Sequence, residues 1–90
     1  RYTLHYYAEH TVEFSRSELV ETEAAESFVH FASIGSLLAV MPWNYPFWQV
    51  IRCLAPAFTV GNGVALKPAP NVAGCANLLK EIISNAVEDD

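Results

Sequence analysis

A long, almost uncharged segment constrains the fold of this chain more than any other sequence feature. Between Ile34 and Leu66 the only charged side chain is Arg52. A helix that spans a membrane needs about 20 consecutive apolar residues. The apolar run here, Leu37 to Trp43, is far shorter, and polar residues and prolines interrupt the chain after it. The segment therefore predicts the interior of a globular domain rather than a membrane hairpin.

The uncharged segment divides into a strand, a helix and a second strand. Leu37–Met41 is continuously apolar, which favours a strand covered on both faces. After Pro46, apolar side chains recur at helical spacing, which predicts a helix with one buried stripe. That stripe consists of Phe47, Ile51, Leu54 and Phe58. Val64–Leu66 then predicts a short buried strand, and the connection back to it, about twenty residues, is long enough for a parallel crossover.

Further elements flank this βαβ unit. Residues 2–16 predict an amphipathic surface helix, and the β-branched and aromatic residues between Leu19 and Ser33 predict a β-hairpin. Pro70 and Asn71 open a last helix. The expected buried faces are Leu4, Tyr7, Ala8, Thr11 and Val12 in the first helix and Val72, Cys75, Ala76, Leu79, Ile82, Ile83 and Ala86 in the last. The order helix, hairpin, βαβα predicts an α/β fold.

Composition narrows the classes of function. Ninety residues allow one domain at most, and five basic against ten acidic side chains give a net charge of −5 without a basic run. This balance argues against a nucleic-acid-binding surface, and Glu88–Asp90 are expected to form a solvated acidic end. Cys53 and Cys75 lack the spacing of a zinc site, so no metal site is predicted. We expect reduced, buried thiols in a cytoplasmic protein.

Asn44 is the residue best placed for chemistry, because it follows a predicted buried strand of a parallel pair. Ligands gather at the carboxyl ends of such strands, and a carboxamide held between two prolines can donate to a developing oxyanion. Asparagine is also among the best helix N-caps, and spacing alone favours capping for Asn44. Lys67 ends the second strand, where a cation suits a nucleotide, although a solvated lysine is the commoner case.

Aromatic side chains crowd the loop that contains Asn44. They are Trp43, Tyr45, Phe47 and Trp48. Such a group lines an apolar tunnel toward a reacting centre in one interpretation and packs in the core in the other. The residues alone leave both interpretations open.

The loop and its flanks resemble the aldehyde dehydrogenase superfamily. Within residues 39–52, the segment Pro42–Pro46 has the sequence proline, tryptophan, asparagine, aromatic, proline. This sequence is a signature of that family. The similarity continues through residues 61–62 and 66–69. Residues 69–76 are most similar to its NAD(P)-dependent succinate-semialdehyde dehydrogenase branch. The resemblance spans nearly the whole chain and is strongest from Ala39 to Ala76.

The resemblance implies roles for residues around the loop. Asn44 matches the asparagine whose side-chain amide stabilises the oxyanion of the reacting aldehyde, which favours catalysis over capping. Lys67 matches the lysine that binds the adenosine ribose of NAD or the 2′-phosphate of NADP. The Met41 carbonyl and Trp43 match positions beside the cofactor.

The resemblance also implies a substrate side and a reaction. Tyr45 and Trp48 correspond to positions near the substrate tunnel, and Tyr45 adds a hydroxyl where phenylalanine is usual. Pro70 stands where many NAD-preferring relatives have a glutamate that holds the ribose, so the choice between NAD and NADP stays open. The implied reaction is the oxidation of an aldehyde, succinate semialdehyde above others, to the carboxylic acid.

By the same resemblance, the chain is expected to be one fragment of a dehydrogenase. The family's nucleophilic cysteine, general-base glutamate and glycine-rich cofactor turn lie beyond the matched region, so we expect no turnover by the 90 residues alone. Residues 1–33 would be a helix and an oligomerisation-type hairpin, and residues 34–90 part of the Rossmann-like cofactor-binding domain of a homo-oligomer. The alternative is a non-catalytic α/β interaction module that assembles through its hairpin.

Overall fold

The computed structural model of the chain describes residues 1–88 and has a mixed α/β architecture. Its helices are α1 (Tyr2–Phe14), α2 (Trp48–Thr59) and α3 (Ala73–Glu88), and its strands are β1 (Glu18–Leu19), β2 (Phe28–Val29), β3 (Ser36–Val40) and β4 (Gly63–Lys67). A 3₁₀ turn, Pro70–Val72, precedes α3. The predicted α/β class and element order are confirmed. Asp89 and Asp90, expected in an acidic end, lie outside the described residues.

The strands β3 and β4 lie side by side as a parallel pair with α2 between them in sequence. Ala39 pairs with Leu66, and Val40 pairs with Lys67. The ladder extends beyond β3, because the Met41 amide donates a hydrogen bond to the Lys67 carbonyl oxygen at 3.1 Å. The predicted parallel crossover is confirmed, and it places the loop after β3 beside the carboxyl end of β4.

One asparagine ties together the opposite end of this strand pair. Asn62 Oδ1 accepts hydrogen bonds from the amides of Ile34 at 2.8 Å and Gly35 at 3.0 Å. The Gly63 amide donates to the Gly35 carbonyl oxygen at 2.9 Å. Gly35 has a φ of 105°, which a residue with a side chain rarely adopts. The entry to β3 is therefore fixed to the turn that precedes β4.

The core lies between the strand pair and two helices. Val50 and Leu54 of α2 and Leu79 of α3 are its buried centre. Val64 and Leu66 of β4, which are half-buried, pack against that centre. Burial of an aliphatic side chain contributes about 1.5–3 kcal/mol, so these contacts hold α2 and α3 on the sheet.

The prediction that β3 is covered on both faces is wrong, and β4 is less buried than predicted. Ala39 is buried, but Leu38 is 73% exposed and Val40 is 62% exposed. Ala65 of β4 is exposed as well. Successive side chains of a strand point to opposite faces, and the core joins α2 and α3 to the same face of the pair. The described residues therefore supply a helical layer for one face only.

The helix α2 buries a different set of side chains from the predicted stripe. Leu54 is buried and Ile51 is half-buried as expected, but Phe47 and Phe58 are 43% and 44% exposed. Val50, which the stripe omits, is only 3% exposed. Because α2 contacts α1 as well as both strands of the pair, several neighbours determine which side chains it buries.

The buried faces of α1 and α3 are predicted in part. The predicted positions that the structure covers at least partly are Tyr7 and Thr11 in α1 and Val72, Cys75, Ala76, Leu79 and Ile83 in or before α3. The predicted positions that it leaves exposed are Leu4, Ala8 and Val12 in α1 and Ile82 and Ala86 in α3. Part of the predicted apolar stripe of each helix is therefore uncovered.

The strands β1 and β2 form the predicted hairpin. They are antiparallel, with Glu18 opposite Val29 and Leu19 opposite Phe28, and each strand contains two residues. All four side chains are exposed. Within residues 1–88, no helix combines the length and the apolar character needed to cross a membrane.

Candidate functional site

The loop between β3 and α2 is built around two prolines, Pro42 after the strand and Pro46 before the helix. Proline fixes its own backbone and disfavours a helical conformation in the residue before it, so the loop stays outside the helix. The Gln49 amide donates to the Tyr45 carbonyl oxygen at 3.2 Å, which ties the first turn of α2 to the loop. The N-cap residue is Phe47, and no side chain caps the helix.

Asn44 therefore does not cap α2, and the capping interpretation favoured by spacing alone is wrong. The Asn44 side chain is exposed, and its Oδ1 accepts a hydrogen bond from Gln49 Nε2 at 3.4 Å. Among the described residues, Asn44 Nδ2 donates to no protein acceptor. The carboxamide keeps two N–H donors available for the oxygen of a ligand.

An open groove of about 550 Å³ lies against the first turns of α2. Its lining consists of Met41, Tyr45, Trp48, Gln49, Arg52 and Cys53. The structure thus brings Tyr45 and Trp48 together with Met41. Asn44 is outside this lining but is hydrogen-bonded to Gln49, which belongs to it. Asn44 and the groove therefore form one continuous surface.

The aromatic residues of the loop do not pack in a core of the described chain. Trp43, Tyr45 and Trp48 are each more than half exposed, and Phe47 is also exposed. Their rings are available as apolar walls for a ligand. Trp43 lies in the bend beside Asn44 and outside the groove lining.

Arg52 is the one ionised side chain in the groove lining, and it was not among the residues predicted from sequence. The ion pair found within residues 1–88 joins His5 and Glu9, so no carboxylate of the described chain pairs with the Arg52 guanidinium. A guanidinium presents several N–H donors in a geometry that matches a carboxylate. The signal available in the sequence was its isolation, because Arg52 is the only charge between Ile34 and Leu66.

Lys67 ends β4 with an exposed side chain. Its Nζ donates to the Pro68 carbonyl oxygen at 3.2 Å, and an ammonium has three donors, so others remain for a ligand. The Lys67 backbone is bonded to Met41, so these two residues meet at the carboxyl edge of the strand pair. This donor set fits the ribose hydroxyls or phosphate oxygens of a nucleotide. The groove beside α2 and a second pocket between α2, β4 and α3 are lined by neither Asn44 nor Lys67.

The two thiols are less buried than predicted. Cys53 and Cys75 are free and half-buried, and Cys53 lines the groove. Cys75 lies in α3. Residues 1–88 contain no group of three or more His, Cys, Asp or Glu side chains that could hold a metal ion.

Comparison with known proteins identifies the family of this chain. The model of the aldehyde dehydrogenase family matches residues 2–90. This chain belongs to the aldehyde dehydrogenase family. The resemblance carried by the proline, tryptophan, asparagine, aromatic, proline segment is confirmed, and the match extends over α1 and the hairpin as well.

Relatives of this aldehyde dehydrogenase chain include two curated proteins. It is 47% identical over 81 residues to a probable succinate-semialdehyde dehydrogenase (NADP+) from Synechocystis sp.. It is 41% identical over 81 residues to the succinate semialdehyde dehydrogenase (NAD(P)+) Sad from Escherichia coli. Each match covers 90% of this chain but 18% of the relative, so the chain spans less than a fifth of the relatives' length.

A solved structure resembles this aldehyde dehydrogenase chain over the same extent. It is the succinic semialdehyde dehydrogenase from Streptococcus pyogenes in complex with NADP+. The two superpose with a TM-score of 0.87 at 38% identity, over 90% of this chain and 18% of that chain.

Proposed function

We propose that this chain provides the oxyanion-binding amide and part of the cofactor-binding surface of an NAD(P)-dependent aldehyde dehydrogenase. In this proposal it is one section of the enzyme, and the nucleophile and the general base belong to other sections. The observation that carries the proposal is the state of Asn44, which follows a parallel strand, does not cap α2 and keeps its Nδ2 donors unused among the described residues.

Asn44 would act on the aldehyde carbonyl as a nucleophile adds to it. Negative charge grows on the carbonyl oxygen during this step, and Asn44 Nδ2 would donate a hydrogen bond to it. A donor already oriented toward this oxygen stabilises the transition state by about 2.7–4 kcal/mol. The prolines on both sides of the loop support such an orientation, because they reduce the number of backbone conformations that Asn44 samples.

The cofactor would lie at the carboxyl edge of the strand pair. Lys67 would bind the adenosine ribose or its phosphate, while the Met41 carbonyl and Trp43 would contact the cofactor nearer the reacting carbon. Bound NAD or NADP supplies the two-electron acceptor that oxidation of an aldehyde requires. The names of the relatives include NADP+ and NAD(P)+, and Pro70 places no carboxylate where it would repel a 2′-phosphate.

The substrate we propose is succinate semialdehyde, an aldehyde with a carboxylate at its other end. Tyr45 and Trp48 would form the walls of its path, and Arg52 would pair with the carboxylate. Support comes from the single guanidinium in an otherwise uncharged groove and from relatives that are named as dehydrogenases of this semialdehyde.

A second candidate function concerns assembly. Leu19 and Phe28 of the hairpin are 77% and 61% exposed, and short strands with exposed apolar side chains are suited to pairing with another chain. We therefore propose that the hairpin joins subunits of a homo-oligomer. A non-catalytic module that assembles in this way would bind full-length subunits and leave their turnover unchanged.

The test is a chimera in which the matched 81 residues of the Synechocystis relative are replaced by those of this chain. The chimera is expected to reduce NADP+ with succinate semialdehyde. Asn44→Ala is expected to lower its kcat by about 10²–10³-fold. Asn85→Ala, an exposed asparagine of α3, is the matched control and should retain activity. Equal turnover of the two variants would refute the proposed role of Asn44.

A further inference from the structure

A carboxamide that binds an oxyanion must present the correct end. The NH₂ and C=O ends of an asparagine side chain are nearly equal in size, but one donates hydrogen bonds and the other accepts them. Rotation of the Asn44 side chain by half a turn would direct Oδ1 at the developing negative charge. Asn44 is exposed, so its packing does not select the orientation, and a hydrogen-bond partner has to do so.

Gln49 is such a partner. Its Nε2 lies 3.4 Å from Asn44 Oδ1 and donates to it. In this arrangement the NH₂ group of Gln49 satisfies Asn44 Oδ1 and leaves Asn44 Nδ2 free for a ligand. The distance is at the long end of the hydrogen-bond range. Such contacts commonly shorten when the group they orient takes up its reacting partner.

Gln49 belongs to a helix that packs in the core. Gln49 lies in the first turn of α2, and its amide is bonded to the Tyr45 carbonyl oxygen at 3.2 Å. The next residue, Val50, is in the buried core. The Gln49 side chain is half-buried along the groove. It therefore links the exposed Asn44 to the packed part of the molecule.

We propose that Gln49 is a positioning residue, which holds Asn44 Oδ1 so that Asn44 Nδ2 is directed at the aldehyde oxygen. This inference rests on the proposed role of Asn44. Hydrogen bonds in a chain polarise one another, so the bond at Oδ1 also makes Nδ2 a better donor. Gln49 then acts on the chemical step through Asn44.

The test is a double-mutant cycle in the active chimera. Gln49→Met keeps the length and helix propensity of the side chain but removes the donor, and it is expected to lower kcat by about 2–10-fold with little change in KM. Gln49→Glu has the shape of glutamine, but its carboxylate accepts from Nδ2 and repels Oδ1, so a larger loss is expected. In an Asn44→Ala background, Gln49→Met should have no further effect, because the group it orients is gone.

The outcomes separate this inference from the function on which it rests. If Asn44→Ala retains full activity, the proposed function fails and the inference fails with it. If Asn44→Ala is impaired but Gln49→Met is not, the inference alone is overturned. A Gln49→Met effect that persists in the Asn44→Ala background, or that falls on KM, would show that Gln49 contacts the substrate instead.

A second measurement, made on the 90-residue chain at concentrations below those at which it associates, keeps the inference falsifiable if a variant enzyme fails to fold. In ¹⁵N NMR spectra, Asn44→Ala should shift the side-chain amide resonances of Gln49, the only glutamine in the chain. Asn85→Ala should leave them in place. Gln49 side-chain resonances that do not respond to Asn44→Ala would overturn the contact.

Discussion

Asn62 lies just before β4 and Asn44 lies within the loop after β3, and the structure uses their side chains in opposite ways. Asn62 Oδ1 accepts hydrogen bonds from two backbone amides at the entry to β3. In contrast, Asn44 Nδ2 donates to no protein acceptor in the described chain. The residue type and its neighbours in sequence predict neither arrangement. The difference comes from what the parallel pairing of β3 and β4 brings beside each side chain.

At Asn62 we predict a loss of stability on removal of the acceptor. Asn62→Ala leaves the amides of Ile34 and Gly35 without Oδ1 and is expected to destabilise the chain by about 1–3 kcal/mol. Asn62→Asp retains an acceptor oxygen and should lose less. Urea unfolding midpoints measure the effect, with the exposed Asn71→Ala as control. Equal midpoints for Asn62→Ala and Asn71→Ala would contradict the prediction.

At Arg52 we predict a change in substrate preference. In the active chimera, Arg52→Gln removes the charge that we pair with the semialdehyde carboxylate, and a charge-assisted hydrogen bond contributes about 1.5–3 kcal/mol. The KM for succinate semialdehyde should therefore rise by about 10-fold to 100-fold. Butanal, which lacks the carboxylate, should show no comparable change. A parallel loss for both aldehydes would mean that Arg52 supports the structure of the groove instead.

At the scale of elements, α2 shows which properties of a helix hydrophobic periodicity predicts and which it does not. The helix itself was predictable, because a proline precedes it and apolar residues recur at helical spacing. Its buried side chains were predicted only in part, because α2 contacts α1, β3 and β4 at once. The apolar run of β3 likewise predicts a strand but does not reveal how many of its faces are covered.

Two leucines test this account of the elements. Leu54 of α2 is 6% exposed and Leu38 of β3 is 73% exposed. Leu54→Ala should destabilise the chain by about 2–5 kcal/mol, because it leaves a cavity in the core. Leu38→Ala should change stability by about 0.5 kcal/mol or less. Similar shifts of the thermal unfolding midpoint for both variants would indicate that the outer face of β3 is covered in solution.

At the scale of the whole molecule, the chain is extended and apolar on its surface. Its radius of gyration is 16.6 Å, compared with about 12 Å for a compact domain of this length. Large apolar side chains are exposed on the hairpin, on the outer face of β3 and on the loop before α2. Such surfaces are usually covered by other parts of a protein or by another chain.

We therefore predict that the 90-residue chain associates with itself. Its mass in sedimentation equilibrium should rise with concentration, and it should bind a dye that reports exposed apolar surface. Replacing both Leu38 and Val40 by lysine adds charge to the outer face of the strand pair and should lower this association. A wild-type chain that remains monomeric at all concentrations and binds no dye would contradict the prediction.

Local properties of the sequence determined the elements and the α/β class, because prolines, glycines and hydrophobic spacing act over a few residues. The family was indicated by the resemblance of the segment Pro42–Pro46 to a known signature. The sequence also singled out Asn44, which follows the first predicted strand, and Lys67, which ends the second. Tertiary structure alone decided that Phe47 rather than Asn44 is the N-cap of α2, that Gln49 holds Asn44 Oδ1, and that Arg52 lines the groove. These contacts depend on how β3, α2 and β4 pack together, and packing joins residues that no spacing rule connects.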